Sequence, residues 1–145
     1  MIDLPDNVFG FAIIPRTALR PNQQPYWGVV YLEVPPETWY AYYIGAGFSE
    51  TEEWIPLGRR FSIWYAVFTA TQNSLIKTAI GVESQENPGY VTILTVQFGY
   101  GKTEYPAGVF FEFEPGTRPW YYVFNYSSNT IGVYATVFGV TEVII

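Results

Sequence analysis

Phe61-Ser62-Ile63-Trp64-Tyr65-Ala66-Val67-Phe68 decides the fold class. It is rich in aromatic and β-branched residues and contains no Gly, Pro or Asn, so it describes an extended strand. With a period of two, Phe61, Ile63, Tyr65 and Val67 fall on one face and Trp64, Ala66 and Phe68 on the other. Both faces are apolar. An antiparallel sheet wetted on one side alternates apolar with polar residues, so this strand is expected to be covered twice. The second cover is expected to be another subunit rather than a loop of the same chain.

Working outward, similar segments recur, punctuated by Gly, Pro and Asn, and no 3.6-residue stripe appears. Val109, Phe111 and Phe113 oppose Glu112 and Glu114, a half-buried strand stopped by Pro115-Gly116. From Leu75 to Glu83, Ile76, Thr78, Ile80 and Val82 oppose Lys77 and Glu83, which fits a strand better than a short helix. Further strands are predicted over Tyr26–Val34, Trp39–Ile44, Tyr90–Phe98, Trp120–Tyr126, Ile131–Phe138 and Val140–Ile145. Eight or nine short strands at this spacing predict an all-β fold, an antiparallel β-sandwich or jelly-roll-like barrel.

Residues 1–25 read differently. Pro5, Pro15, Pro21 and Pro25 break the segment around one apolar stretch, Val8 to Ile14. The plain reading is an irregular first strand of the chain's own sheet. The sharper one is an extended N-terminal arm, residues 1–25, that adds its apolar stretch to a neighbour's sheet edge, with the β-sandwich domain spanning 26–145. Prolines would lower the ordering cost of such an arm.

The chain has 145 residues, enough for one domain with a real core, and a fifth of them are aromatic. Charged residues make up only 14%, against about 25% in ordinary soluble proteins. The surplus of apolar over charged side chains points to interfaces. A net charge of −6, with Lys77 and Lys102 the only lysines, argues against nucleic acid. Cysteine is absent and the chain carries one Met and 11 Pro; this would suit a thermostable protein, although the low charge content runs the other way. No basic segment followed by an apolar run opens the chain, so no signal peptide is read there. The uncharged run Pro119 to Thr141 carries turn residues at Asn125–Thr130 and is read as two strands and a hairpin rather than a membrane span.

Without His or Cys, the Ser-His-Asp and Cys-His triads and the usual zinc sites are excluded. Gly101-Lys102-Thr103 matches only the end of a phosphate loop, with Val96 where the pattern needs Gly and Pro106 where a helix should run. Paired acids for glycoside hydrolysis could come from Glu50, Glu52 and Glu53, or from Glu112 and Glu114, though a solvated face explains them more simply. No enzyme activity, cofactor or metal is expected. Asn125-Tyr126-Ser127 matches a glycosylation sequon, read as coincidence. Aromatic clusters remain. Trp39, Tyr42, Trp120 and Tyr122 could form a stacking platform for sugars, but rings with polar tips serve protein interfaces equally well.

The proline-broken arm Met1–Pro25 and the acidic, Cys-free β body Tyr26–Ile145, apolar on both sides, together resemble virion structural proteins. More narrowly, the ensemble is similar to the small trimeric decoration, or head-stabilising, proteins of tailed-phage capsids. The resemblance implies a homotrimer in the virion that reinforces a shell of other capsid subunits by mechanical contact. Phe9, Phe11, Ile13 and Ile14 would then anchor the arm, and Arg16 and Arg20 would pair with acidic groups on a neighbour. The alternative expectation is a carbohydrate-binding β-sandwich, a receptor-binding or adhesive module.

Overall fold

A computed structural model describes residues 19–42, 54–105 and 111–144 of the chain. These form strands β1 (Gln23–Val34), β2 (Trp39–Tyr42), β3 (Arg59–Ala70), β4 (Leu75–Ser84) and β5 (Val91–Tyr100). They continue as β6 (Lys102–Tyr105), β7 (Phe111–Phe113), β8 (Thr117–Asn125) and β9 (Ile131–Val143). All pairings are antiparallel. One sheet has the order β1-β9-β3-β6, with β7 beside β3; the other runs β2-β8-β4-β5. The fold is an all-β sandwich.

β6 and β7 lie along the same edge of β3, against Ala66–Thr69 and Phe61–Ile63. Counted as one interrupted strand, they complete the eight-strand order of a jelly roll, two Greek keys wound as one long hairpin. Between the sheets lies one core that includes Leu32, Phe61, Phe68, Ile76, Tyr121 and Val133. Each of the aliphatic and Phe side chains among them, fully buried, contributes about 1.5–3 kcal/mol. Thr78 of β4 adds a polar tie, its Oγ1 lying 2.7 Å from Thr103 Oγ1 and 2.9 Å from Tyr105 Oη on β6.

The decisive strand behaves differently from simple alternation. β3 keeps register with β9 as far as Ile63 opposite Gly139 and resumes at Tyr65 opposite Phe138, so Trp64 is an inserted, bulged residue. The bulge exchanges the faces. Phe61 and Ile63 point into the core before it, and Ala66 and Phe68 do so after it. Tyr65 and Val67 turn outward, where they pack with Phe138, Leu19 and Trp64. Gly139 permits this arrangement, because a Cβ there would sit 2.2 Å from the Ser62 carbonyl oxygen.

Two further expectations are corrected. The two strands expected over Ile131–Phe138 and from Val140 onward are one strand, β9 (Ile131–Val143), running through Gly139. The turn at Asn125–Thr130 does not close a hairpin, since β8 and β9 belong to different sheets and the turn carries the chain between them. Asn125 fixes that crossing. Its side chain is fully buried, with Nδ2 at 3.0 Å from the Val34 carbonyl, 3.2 Å from that of Pro35 and 2.7 Å from that of Asn129. Its Oδ1 accepts from the Ser127 amide at 2.8 Å. The sequon asparagine is therefore enclosed, and its amide serves the fold.

β1 begins at Gln23, three residues before the expected domain boundary, and the preceding Arg20 is already bonded to the body. Among the described residues no helix is long and apolar enough to cross a membrane.

Candidate functional site

Cross-strand register places side chains directly opposite one another on the same sheet face. On the outer face of the five-stranded sheet, three rows follow from the pairing: Trp27–Phe138–Tyr65, Val29–Thr136–Val67 and Tyr31–Tyr134–Thr69. The first row is largely covered on β9 and β3, whereas the β1 side is open. Trp27, Val29, Tyr31 and Tyr134 are 41%, 52%, 47% and 48% exposed. Trp27 meets Phe138 edge-on at 5.4 Å between centroids. The Tyr65 hydroxyl donates to the Glu104 carboxylate on β6, which holds Glu104 below its ordinary range. Burial, with that hydrogen bond, raises the Tyr65 phenol.

A polar row borders this apolar field. Arg20 donates from Nη2 to Glu142 Oε2 at 2.8 Å, and Arg60 Nη1 reaches Glu142 Oε1 at 3.2 Å. Arg60 Nε also lies 3.0 Å from Glu114 Oε1 and 3.6 Å from Glu112 Oε2. Arg20 thus meets an acidic group, as its charge demands, but that group belongs to its own chain. Phe9, Phe11, Ile13, Ile14 and Arg16 lie outside the described residues. Glu112 and Glu114 share Arg60 on an exposed surface; Glu50, Glu52 and Glu53 lie outside the described residues.

The four-stranded sheet has a different outer face. Its rows run Trp39–Phe124–Lys77–Phe98, then Ala41–Tyr122–Ala79–Val96, then Trp120–Gly81–Ile93, then Arg118–Glu83–Val91. Small residues flank Tyr122 and Trp120, so the rings stand above a sunken floor. The result is a groove of about 410 Å³, floored by Ala41 and Ala79 and walled by Trp39, Tyr122, Ile93 and Val96, with Lys77 in its lining. Trp39 stands edge-on to Tyr122 at 6.3 Å between centroids, while Trp120 and Tyr122 lie within 30° of parallel at 6.3 Å. β5 reverses the ordinary polarity of a sandwich strand. Its apolar Ile93, Val96, Phe98 and Tyr100 face outward and are exposed. The alternate Gln97 accepts from the Glu104 amide on β6.

Three of the four expected platform residues, Trp39, Trp120 and Tyr122, share this face. Tyr42 does not. It pairs with the buried Tyr121, and three positions from Trp39 on a period of two put it on the opposite side.

Charge at one end of the face is locked away. Glu83 is 3% exposed; its Oε1 accepts from Arg118 Nε at 2.8 Å and from Trp120 Nε1 at 2.5 Å, and its Oε2 accepts from the Gly89 amide at 2.8 Å. Burial pushes this carboxyl up, but the hydrogen bonds from Arg118, Gly89 and Trp120 outweigh it and lower its pKa. Arg118 also stacks over Trp54, 4.1 Å from the ring centroid. Nothing local in the sequence marks this pair, because Glu83 opens the polar run Ser84-Gln85-Glu86-Asn87 and Arg118 follows a Pro-Gly turn; only the β4–β8 register joins them.

Gly101-Lys102-Thr103 forms the tight turn from β5 into β6, with Gly101 at φ 72°, and leads into a strand rather than a phosphate-binding helix. Among the described residues no group of three or more His, Cys, Asp or Glu could hold a metal ion. No protein-family model matches the chain. No curated protein matches it in sequence.

Proposed function

We propose that the chain is a structural assembly protein, a sandwich subunit that self-associates through the outer face of its five-stranded sheet, as a capsid or capsid-decoration subunit would. One observation carries this reading: Trp27, Val29, Tyr31 and Tyr134 form a contiguous, half-exposed apolar field on that face, continuous with the covered cluster around Phe138. Fields of this kind on a sheet otherwise built to bury its apolar side mark protein contacts. The field also borders β1, whose only strand partner among the described residues is β9, leaving an edge open to strand addition. Jelly rolls host shell subunits and lectins alike, so the topology supports the reading without deciding it. Val29→Glu with Tyr134→Ser tests it. Loss of a multimer with the fold retained supports the reading, and unchanged mass overturns it. Deleting residues 1–18 tests the arm separately, with weakened assembly as the expected result.

A second reading, carbohydrate binding, is favoured by the groove on the opposite sheet. Cavities of roughly 300–1,000 Å³ suit small ligands, and about 410 Å³ between rings falls in that range. A glycan array followed by Trp39→Ala and Trp120→Ala tests it. Binding that disappears with the rings supports it, and an empty array removes it.

A further inference from the structure

We infer that the groove on the four-stranded sheet selects acidic sugars, taking a pyranose that carries a carboxylate, with the ring against Trp39 and Tyr122 and the carboxylate at Lys77. This rests on the carbohydrate reading of the groove and names its ligand class.

Three features of the face support it. The first is the shape of the apolar part. The Ala41 and Ala79 floor lies beside Tyr122, and Trp39 rises edge-on at its side, so one flat object can lie against one ring and abut another. A pyranose has such a shape: its axial C–H bonds present a weakly positive face to the negative face of an aromatic ring, while its hydroxyls stay at the rim in water.

The second is the position of Lys77. It projects from β4, a central strand, and its Nζ stands 5.3 Å from the ring centroids of both Trp39 and Phe98. The ammonium is therefore held at the groove by two rings on opposite sides.

The third is what Lys77 lacks. Among the described residues it makes no ion pair. Glu83, the carboxylate of the same outer face, is saturated by Arg118, Trp120 and Gly89. In a chain with a net charge of −6, a cation held among rings at a groove, with no carboxylate paired to it among the described residues, complements an anionic ligand. A neutral sugar would use the rings and leave this charge unmatched.

The test compares tetragalacturonate with its fully methyl-esterified form, which keeps the rings and loses the charge. Affinities are measured by calorimetry at low salt on the full chain, with the binding face located by amide chemical-shift changes. The acid is expected to bind about fivefold more tightly than the ester, the range of one partly exposed ion pair. The preference should shrink as salt rises, vanish in Lys77→Gln and persist in Lys77→Arg, while Trp39→Ala weakens both ligands. Equal binding of acid and ester overturns the acidic class and leaves the carbohydrate reading standing. Binding of neither overturns both. A preference for the acid that survives Lys77→Gln, or shifts that fall elsewhere, also overturns the assignment.

Discussion

Tyr31 on β1 and Tyr134 on β9 meet across the ladder with ring centroids 4.9 Å apart, yet each stays nearly half exposed. Each ring is braced by the other within the subunit, so under the proposed self-association little further side-chain entropy would be lost there. Tyr31 also leans over Gly132, where a Cβ would lie 2.2 Å from its Oη and 2.6 Å from a ring carbon. The glycine is the seat on which the ring lies.

Gly132→Ala is therefore predicted to lift Tyr31 off the sheet and weaken self-association, with stability of the subunit changed by no more than ~1 kcal/mol. Sedimentation and denaturant unfolding, run side by side, separate the two effects. A variant that assembles normally would show that the ring's placement is irrelevant.

Acid should loosen the fold through Glu83. Its folded pKa lies below its ordinary value, so the stability it contributes is present above the unfolded pKa of about 4.3 and is lost as pH falls through the lower folded value. Glu104 shifts in the same direction and adds to the same window. Glu83→Gln is predicted to be less stable at neutral pH and to lose less on acidification, as read from urea midpoints between about pH 5 and pH 3. Parallel pH curves for both proteins would contradict this.

Tyr121 is 1% exposed, and its Oη has no hydrogen-bond partner among the described residues. Burial, with Tyr26 nearby, raises its pKa well above the ordinary phenol. Removing the hydroxyl removes an unmet desolvation cost, so Tyr121→Phe is predicted to stabilise the protein by ~1 kcal/mol. A drop in melting temperature would mean that the hydroxyl is satisfied.

Asn125 ties the β1–β2 connection to the β8–β9 crossing. Asn125→Ala leaves the Val34 and Asn129 carbonyls without this donor and is predicted to cost about 2–3 kcal/mol. A cost below ~0.5 kcal/mol in denaturant unfolding would show that the two loops hold without it.

How far these features could be read in the sequence depends on whether they are local. The strand character of Phe61–Phe68, the inward run Ile76-Thr78-Ile80-Val82 and the turn at Asn125–Thr130 follow from neighbouring residues, and each is found. The Trp64 bulge leaves no trace in composition, because an inserted residue looks like its neighbours until a partner strand is laid beside it. Gly139 reads as a strand break for the same reason; only the approach of Ser62 shows why it lies inside one. Parity alone puts Trp120 and Tyr122 together and Tyr42 opposite Trp39. The groove itself needs Ala41, Tyr122 and Ala79 side by side on three strands far apart in sequence, and so does the Glu83–Arg118 pair on two. Turn residues, likewise, announce that the chain reverses but not which sheet it enters next.

Solution mass is the most direct measure of self-association through the Trp27–Tyr134 face. Sedimentation of the full 16.5 kDa chain across about a hundredfold range of concentration, repeated with Val29→Glu/Tyr134→Ser, reads association and its surface together. The assembly reading predicts a discrete multimer, a trimer if the resemblance to decoration proteins holds, that dissociates on dilution and is abolished by the double substitution. A wild-type chain that remains a monomer at every concentration would contradict it.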